Sequence, residues 1–185
     1  MKSRCQWGES EQMRKYHDTE WGVPIHDDRK LFEFLILEGA QAGLSWATIL
    51  KRRNGYKEAF ARFNPIKVAK FTKTDIERLL NNEKIIRNRS KIEAAIQNAK
   101  QFLGVQKEYG SFDTYIWSFV NNKPIINSFK EMSDLPTTTS LSELISKDMK
   151  ARGFKFVGPT IMYAHMQATG MVNDHVVNCF RYDQV

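Results

Sequence analysis

Apolar residues recur every three or four positions along most of the chain, which is the spacing of amphipathic helices. The longest such pattern places six apolar residues on one helical face: Ile92, Ala95, Ile96, Ala99, Phe102 and Leu103. Strict alternation of apolar and polar residues, which marks a half-buried strand, is nearly absent. The pattern therefore predicts an all-α fold of about eight short helices.

Capping residues predict where several of these helices begin. Asp27 and Asp28 precede an apolar helical pattern that we expect to stop near Gly39. Asn64 followed by Pro65 is a typical helix start, and this helix is predicted to run through Phe71.

Two further segments, 74–77 and 140–143, have capping-box spacing ahead of apolar helical patterns. Gly153 and Gly170 lie where helices are expected to end, and Pro159 begins a new helix between them. The Ser- and Thr-rich stretch 127–139 is predicted to be a loop.

The composition describes one globular domain spanning residues 1–185, with 42% hydrophobic and 26% charged residues. It excludes disordered and collagen-like chains. The formal net charge of +7 favours a polyanionic partner, either nucleic acid or an acidic membrane surface. The N-terminal segment lacks the apolar run of a signal peptide, and the longest uncharged stretch, 156–173, is interrupted by glycine and proline. We therefore expect a cytoplasmic protein without a membrane span.

The only two cysteines each have a histidine nearby: Cys5 with His17, and His175 with Cys179. On a helix, His175 and Cys179 would lie one turn apart on one face, and the other pair would complete a closed Cys₂His₂ set for a structural zinc ion. The alternative is that the cysteines are small buried hydrophobic residues and the histidines are hydrogen-bonded polar residues.

A carboxylate, two glycines and an aromatic ring follow one another closely between Glu38 and Trp46. Such a segment suits the wall of a pocket where backbone approaches a flat ligand. Trp7 and Trp21, which also lie beside turn signals, are further candidates for this pocket. The alternative is that Trp46 belongs to the core and Glu38 is a solvated helix end.

Four cations, Lys84, Arg87, Arg89 and Lys91, occupy the predicted turn and the start of the long helix. Helix-hairpin-helix modules bind DNA phosphates with this layout, through backbone N–H groups, the helix dipole and nearby cations. The alternative is an ordinary solvated helix face.

Taken together, the chain resembles the 3-methyladenine DNA glycosylase I family of the helix-hairpin-helix glycosylase superfamily. The resemblance rests on five segments in order along the chain: YHDTEWGVP at 16–24, LEGAQAGLSW at 37–46, IIRNRSKI at 85–92, WSFV at 117–120 and RGFKFVGPTIMYAHMQATGMVNDH at 152–175. It implies that the hairpin spans about 75–103 and that residues of about 1–26 and 165–185 form a second, zinc-binding lobe.

The resemblance also implies roles for individual residues. Glu38 would hydrogen-bond the excised base, Tyr16 and Trp46 would stack on it, and Leu44, beside Gly43, would wedge into the gap left by the flipped nucleotide. The four zinc ligands implied, with one ion per chain, are Cys5, His17, His175 and Cys179.

Two positions depart from the family pattern. Lys84 stands where the family usually has a glycine before the hairpin, so we expect either backbone strain or an altered turn. His165 stands where an aromatic residue is expected, which we interpret as a change in packing.

The implied activity is base-excision repair by a monofunctional glycosylase, which flips 3-methyladenine out of double-stranded DNA and leaves an abasic site and the free base. The implied protein is a monomer associated with the bacterial nucleoid. Asp113 follows the hairpin, where related glycosylases have a catalytic aspartate, but the resemblance gives it no such role. Two other functions remain open: a zinc-stabilised nucleic-acid-binding module without catalysis, and a zinc hydrolase.

Overall fold

Helices dominate the computed structural model, which describes residues 3–185. Its α-helices are α1 (Glu11–Thr19), α2 (Asp28–Gln41), α3 (Trp46–Ala59), α4 (Pro65–Val68), α5 (Lys73–Leu80), α6 (Arg89–Tyr109), α7 (Phe112–Ser118), α8 (Ser140–Ala151) and α9 (Pro159–Ala168). Short 3-10 helices span Gln6–Glu9, Ala61–Phe63, Met132–Asp134 and Tyr182–Gln184. The prediction of an all-α fold is confirmed.

The one sheet in the described part of the chain is a pair of two-residue strands. Strand β1 (Ile125–Ile126) runs parallel to β2 (Val172–Asn173), with Ile125 paired to Val172. Of the stretch predicted as a loop, residues 132–134 form a 3-10 turn and the rest is irregular. No helix within 3–185 is long and apolar enough to span a membrane.

Helix α2 lies at the centre of the core, where it packs against α3, α6, α7 and α9. Its buried side chains lie on all sides of the helix: Leu31, Phe32, Phe34, Leu35, Ile36, Leu37, Glu38 and Ala40. From Phe34 onward the helix is buried on nearly every side, as a helix in a protein interior is. Glu38 lies near the C-terminal end of α2 and is buried together with these apolar residues.

The predicted stop of α2 near Gly39 is wrong by two residues. The helix continues to Gln41, and the chain turns only at Gly43, whose φ is +76°. The Lys91 ammonium donates to the carbonyl oxygens of Ala40 and Ala42 at 2.8 and 2.6 Å. These bonds satisfy carbonyl groups that a helix end leaves without partners, so α2 ends where Lys91 binds it.

Predicted helix starts lie within two residues of the observed ones, but the capping residues differ. Thr72, rather than Thr74, caps α5, and Thr139, rather than Ser140, caps α8. The helix from Pro65 ends at Val68 instead of running through Phe71.

The helix ends set by glycine are confirmed. Gly153 and Gly170 follow α8 and α9 with φ of +90° and +72°, the left-handed conformation of a helix C-terminus. The long predicted helix, α6, continues past Leu103 to Tyr109, where Gly110 adopts φ +85°.

Helices α5 and α6 form a hairpin whose turn packs against α3. A side chain at Gly55 in α3 would lie 2.4 Å from the Lys84 carbonyl oxygen, so only glycine allows this approach. The Tyr56 hydroxyl accepts the Ile86 N–H at 3.1 Å. Of the two outcomes expected at Lys84, backbone strain is not found, because Lys84 has no positive φ.

The two ends of the described chain pack together in a second hydrophobic cluster, which contains Cys5, Tyr16, Trp21, Phe34, Ala168, Val176 and Cys179. The Phe180 N–H donates to the Ser3 carbonyl oxygen at 2.9 Å, which ties the ends directly. This cluster coincides with the predicted zinc lobe, of which residues 1–2 lie outside the described residues.

Candidate active site

A cavity of about 310 Å³ lies between the terminal cluster and helices α1, α2, α3 and α9. Twelve residues line it: Trp7, Met13, Tyr16, Trp21, Glu38, Gln41, Trp46, Met132, Leu135, Ala164, Gln167 and Ala168. All five residues predicted to bind the base are among them: Tyr16, Glu38, Trp46, Trp7 and Trp21. These five residues are spread along the chain between Trp7 and Trp46, and the fold brings them together in one cavity with mostly apolar walls.

Among the described residues that line this cavity, Glu38 is the one carboxylate, and only 2% of its surface is exposed. Its Oε2 lies 2.7 Å from Nδ1 of His165, whereas its Oε1 is buried without a hydrogen-bond partner. Burial raises the pKa of Glu38, and the contact with His165 opposes that rise. The interpretation of Glu38 as a solvated helix end is therefore wrong.

Aromatic rings form one wall of the cavity. Trp46 is the first residue of α3, held there by the Ser45 cap, and its ring centroid lies 5.6 Å from that of Tyr16. Phe34 stacks on Trp46 at 6.3 Å with an interplanar angle of 17°. The buried Trp46 Nε1 has no hydrogen-bond partner in the described part of the chain, so this wall offers an N–H donor as well as a flat apolar surface.

Seven lining residues were not predicted from the sequence: Met13, Gln41, Met132, Leu135, Ala164, Gln167 and Ala168. Gln41 lies three positions after Glu38, on the same helical face, so spacing could have indicated it. Ala164, Gln167 and Ala168 share one face of α9 for the same reason. Met132 and Leu135 come from an irregular segment, which carries no periodic signal.

The expectation that histidine at position 165 only changes the packing is wrong. The ring is buried in α9 and its Nδ1 hydrogen-bonds Glu38, so its role is polar. Its Nε2 has no hydrogen-bond partner among the residues that the structure describes.

A second, smaller cavity of about 240 Å³ borders Glu38 from the other side, next to Gly43 and Leu44. The Leu44 side chain lies in the turn between α2 and α3 and is 40% exposed, which is unusual for leucine in this structure. The predicted wedge residue therefore lies beside the predicted base-binding carboxylate. Asp113 lies elsewhere, paired with His26 at 2.7 Å, and does not line either cavity.

The four predicted metal ligands converge. The ligand atoms of Cys5, His17, His175 and Cys179 all lie within 4.8 Å of one another, and all four residues are buried. The Cys179 sulfur lies 3.4 Å from Nδ1 of His175 and 3.5 Å from Nε2 of His17. Sulfur and nitrogen ligands at about 2.3 and about 2.0 Å from a tetrahedral zinc ion would be about 3.5 Å apart. The residues present therefore fit a zinc ion.

The partners of the two imidazoles also suit metal binding. His17 Nδ1 lies 2.9 Å from the carboxylate of Asp18, and His175 Nε2 lies 3.1 Å from the Trp21 carbonyl oxygen. Both acceptors require a proton on the nitrogen that faces them, which leaves the other nitrogen free as a ligand. Burial lowers the pKa of His175 to about 4, so its ring is neutral, and raises the pKa of the Cys5 thiol to about 12. A bound cation would favour the ionised thiolate.

The predicted helix carrying His175 and Cys179 is wrong. His175 lies in irregular chain after β2, and Cys179 follows a turn in which its N–H donates to the Val176 carbonyl oxygen at 2.7 Å. This path of the backbone places the two ligand atoms 3.4 Å apart without a helix.

Three of the predicted phosphate-binding cations are exposed and form surface ion pairs. Lys84 lies 2.9 Å from Glu58, Arg89 lies 2.6 Å from Glu77, and Arg87 lies 3.8 Å from Glu83. Exposed pairs contribute little stability, about 0–1 kcal/mol. Their cations can therefore exchange these partners for phosphates at little cost.

Lys91 differs from these three. Its ammonium is half-buried on the carbonyl oxygens of Ala40 and Ala42, and desolvation lowers its pKa. In this structure it binds α2 and is not presented to a phosphate, contrary to its predicted role. It also holds the start of α6 against the turn that carries Leu44, so the hairpin and Leu44 adjoin each other.

The fold is helical, and its pocket combines aromatic walls with one buried carboxylate beside an exposed leucine. Such a site defines a protein that binds a flat ring that is cationic or donates hydrogen bonds. Comparison with known proteins gives the same class. The sequence profile described as methyladenine glycosylase matches residues 6–182. A DNA-3-methyladenine glycosylase of Haemophilus influenzae is 49% identical over 180 residues, covering 97% of this chain and 97% of that protein.

Solved structures agree with this match. A crystal structure of a 3-methyladenine DNA glycosylase I superposes with a TM-score of 0.93 at 49% identity, covering 96% of this chain and 98% of that one. A structure that addresses 3-methyladenine recognition by 3-methyladenine DNA glycosylase I from Staphylococcus aureus gives a TM-score of 0.93 at 40% identity, covering 96% of this chain and 95% of that one. The chain belongs to the methyladenine glycosylase family, and it is an enzyme, a DNA glycosylase.

Proposed function

We propose that this enzyme binds double-stranded DNA, excises 3-methyladenine and leaves an abasic site and the free base. One observation carries the proposal: a buried carboxylate, Glu38, presents an unpartnered oxygen at a cavity walled by Tyr16 and Trp46. The names of the relatives support the same base. The DNA partner also accords with the net charge of +7.

Glu38 selects the base by its charge and its free oxygen. N3-methylated adenine in DNA is cationic, and its exocyclic amine can donate a hydrogen bond to Oε1 of Glu38. Tyr16 and Trp46 hold the ring by stacking and by cation–π attraction, about 2 kcal/mol for a desolvated contact. Neutral adenine lacks the charge, so it gains less from the same pocket.

The methylated base is an activated leaving group, because breaking its glycosidic bond releases a neutral molecule. Water adds to the sugar carbon as the bond to the base breaks, the bonding electrons go to the base, and the water loses a proton. No general acid is required for departure. No lysine lines the cavity among the described residues, so no amine is placed to form a Schiff base, and the enzyme is monofunctional.

Extrusion of the base costs a few kcal/mol in lost stacking and pairing. Leu44 fills the gap from the turn before α3, and Gly43 gives that turn its left-handed conformation. Lys84, Arg87 and Arg89 bind phosphates beside it and add affinity independent of sequence.

The cluster of Cys5, His17, His175 and Cys179 holds one structural zinc ion. Four protein ligands leave no position for water or substrate, so the ion contributes stability and no chemical step. The support is the donor set, the spacing of its ligand atoms and the hydrogen bonds that fix both imidazoles. The ion ties the two ends of the described chain around Trp7, Tyr16 and Trp21, and thereby shapes the pocket.

The test is release of free 3-methyladenine from methylated duplex DNA, followed by chromatography of the released bases. We expect release by the purified monomer without strand cleavage. A zinc-stabilised binding module would bind the DNA and release nothing, which would overturn the proposal. A zinc hydrolase would lose its activity on chelation while still folded, whereas a structural site loses stability first.

A further inference from the structure

We propose that His165 is a positioning residue for Glu38: it donates a hydrogen bond from Nδ1 to Oε2, which keeps the carboxylate ionised and leaves Oε1 free for the base. The inference rests on the proposed function, which assigns Glu38 to the base but gives His165 no role.

The geometry defines one arrangement of the pair. Both side chains are buried, at 2% exposure for Glu38 and 1% for His165, and Nδ1 lies 2.7 Å from Oε2. Among residues 3–185, neither Oε1 of Glu38 nor Nε2 of His165 has a hydrogen-bond partner. The pair therefore shares one hydrogen bond, and the carboxylate's second oxygen is left for a ligand.

Packing alone does not account for a histidine at this position. A buried ring with an unpaired nitrogen is less favourable than a hydrocarbon ring of similar size, because the nitrogen loses its water without gaining a partner. The bond from Nδ1 to Glu38 offsets that loss only if the carboxylate is there to accept it. Burial of the His165 ring is thus favourable only with Glu38 as its acceptor. We propose in turn that the ionised state of Glu38 requires His165 as its donor.

The other elements packed around α2 leave His165 as the neighbour that acts on the charge of Glu38. Tyr16 of α1 faces Glu38 as a neutral phenol, because burial and Glu38 itself raise the Tyr16 pKa. The remaining charged groups bind other parts of α2. Lys91 of α6 donates to the Ala40 carbonyl oxygen, and Arg53 of α3 donates to the Glu33 carboxylate. Asp113 of α7 donates its backbone N–H to the Asp28 carboxylate. Burial raises the Glu38 pKa, while the charge and hydrogen bond of His165 lower it.

The experiment compares the pH dependence of 3-methyladenine excision in the wild type, His165→Phe and His165→Gln. The methylated nucleotide is a fixed cation and does not titrate, and Glu38 is the one carboxylate among the described residues that line the cavity, so we assign the acid side of the profile to Glu38. His165→Phe removes the donor, and its acid limb should move up by about one pH unit or more. His165→Gln keeps an N–H donor and should restore most of that shift. Met166→Leu, a buried apolar change at the next position of α9, should leave the limb where it is in the wild type.

An unchanged acid limb in a folded His165→Phe protein would overturn the proposal. If His165→Phe does not fold, nitrogen NMR of the wild-type imidazole decides: a proton on Nδ1 supports the proposal, and a neutral ring protonated only on Nε2 refutes it. Failure of the proposed function has a different result, since no variant, the wild type included, would then release any base. The NMR measurement still tests the pair in that case.

Discussion

Replacing Glu38 by glutamine tests the pocket directly, because it removes the charge and keeps the volume and one acceptor. Glu38 is 2% exposed, so its interaction with a cationic base is desolvated and not screened by bulk water. A hydrogen bond to a charged group contributes about 1.5–3 kcal/mol. Since each 1.4 kcal/mol is a factor of ten in rate, excision at low substrate concentration should fall about ten- to a hundredfold.

The assay is single-turnover release of 3-methyladenine from a methylated duplex, with the enzyme in excess over the duplex but below its apparent dissociation constant, so that the measured rate reports kcat/KM. Affinity for abasic DNA should barely change, because no base then fills the pocket. Free 3-methyladenine should quench the tryptophan fluorescence of the wild type by stacking on Trp46, and should bind Glu38→Gln more weakly. Glu143→Gln, an exposed change of the same chemistry on α8, is the matched control. Wild-type excision and base binding by Glu38→Gln would show that the pocket is wrongly assigned.

The same variant should be more stable than the wild type at neutral pH. Burial raises the folded-state pKa of Glu38 above its unfolded value, so the unfolded chain loses this proton first as pH rises. Stability is therefore lost as pH rises from the unfolded pKa, about 4.3, through the folded one. Thermal unfolding should show a gain for Glu38→Gln at pH 7 that shrinks towards pH 4. A lower melting temperature of Glu38→Gln at pH 7 would contradict the inference that the buried charge of Glu38 destabilises the folded state.

Three further predictions concern the rest of the molecule. The purified protein should contain about one zinc per chain, and Cys179→Ala should lose the metal and melt at lower temperature; active protein without zinc would refute the site. Arg87→Ala and Arg89→Ala should each weaken binding to abasic duplex and reduce the log–log salt slope by about one; unchanged slopes would exclude the hairpin as the DNA anchor. Lys91→Met should instead lower the free energy of unfolding by about 1–3 kcal/mol in urea titrations, with the salt slope unaffected.

Periodicity predicts the helices well, because it reflects which faces are buried. The pattern of α6 is an example, although the observed helix extends to Tyr109, where Gly110 stops it. Capping is less predictable, since Thr72 and Thr74 both have a carboxylate three residues later, Asp75 and Glu77, and the fold uses the earlier pair. Local sequence offers several caps, and packing selects among them.

The parts of the site that use rare residue types could be predicted from the sequence. The parts whose roles depend on the packing of helices could not. Two cysteines with two histidines are an unusual donor set, so the sequence indicates that these four side chains converge, although 170 positions separate Cys5 from His175. His165 and Lys91 are common residue types. Their roles depend on where α9 and α6 cross α2, and this crossing leaves no mark in local spacing.

The position of the positive charge during the reaction limits what Glu38 can contribute. The charge lies on the base in the bound substrate, moves towards the sugar as the glycosidic bond breaks, and is gone from the base in the neutral product. The carboxylate is therefore paired best with the flipped substrate and less well with every later state, so its contribution lies in selecting and extruding the methylated base. An interaction made in the bound state and not strengthened in the transition state changes KM rather than kcat. The neutral product no longer pairs with the Glu38 carboxylate, which favours release of the free base. Glu38→Gln should accordingly lose more in apparent affinity for methylated DNA than in the rate at saturation.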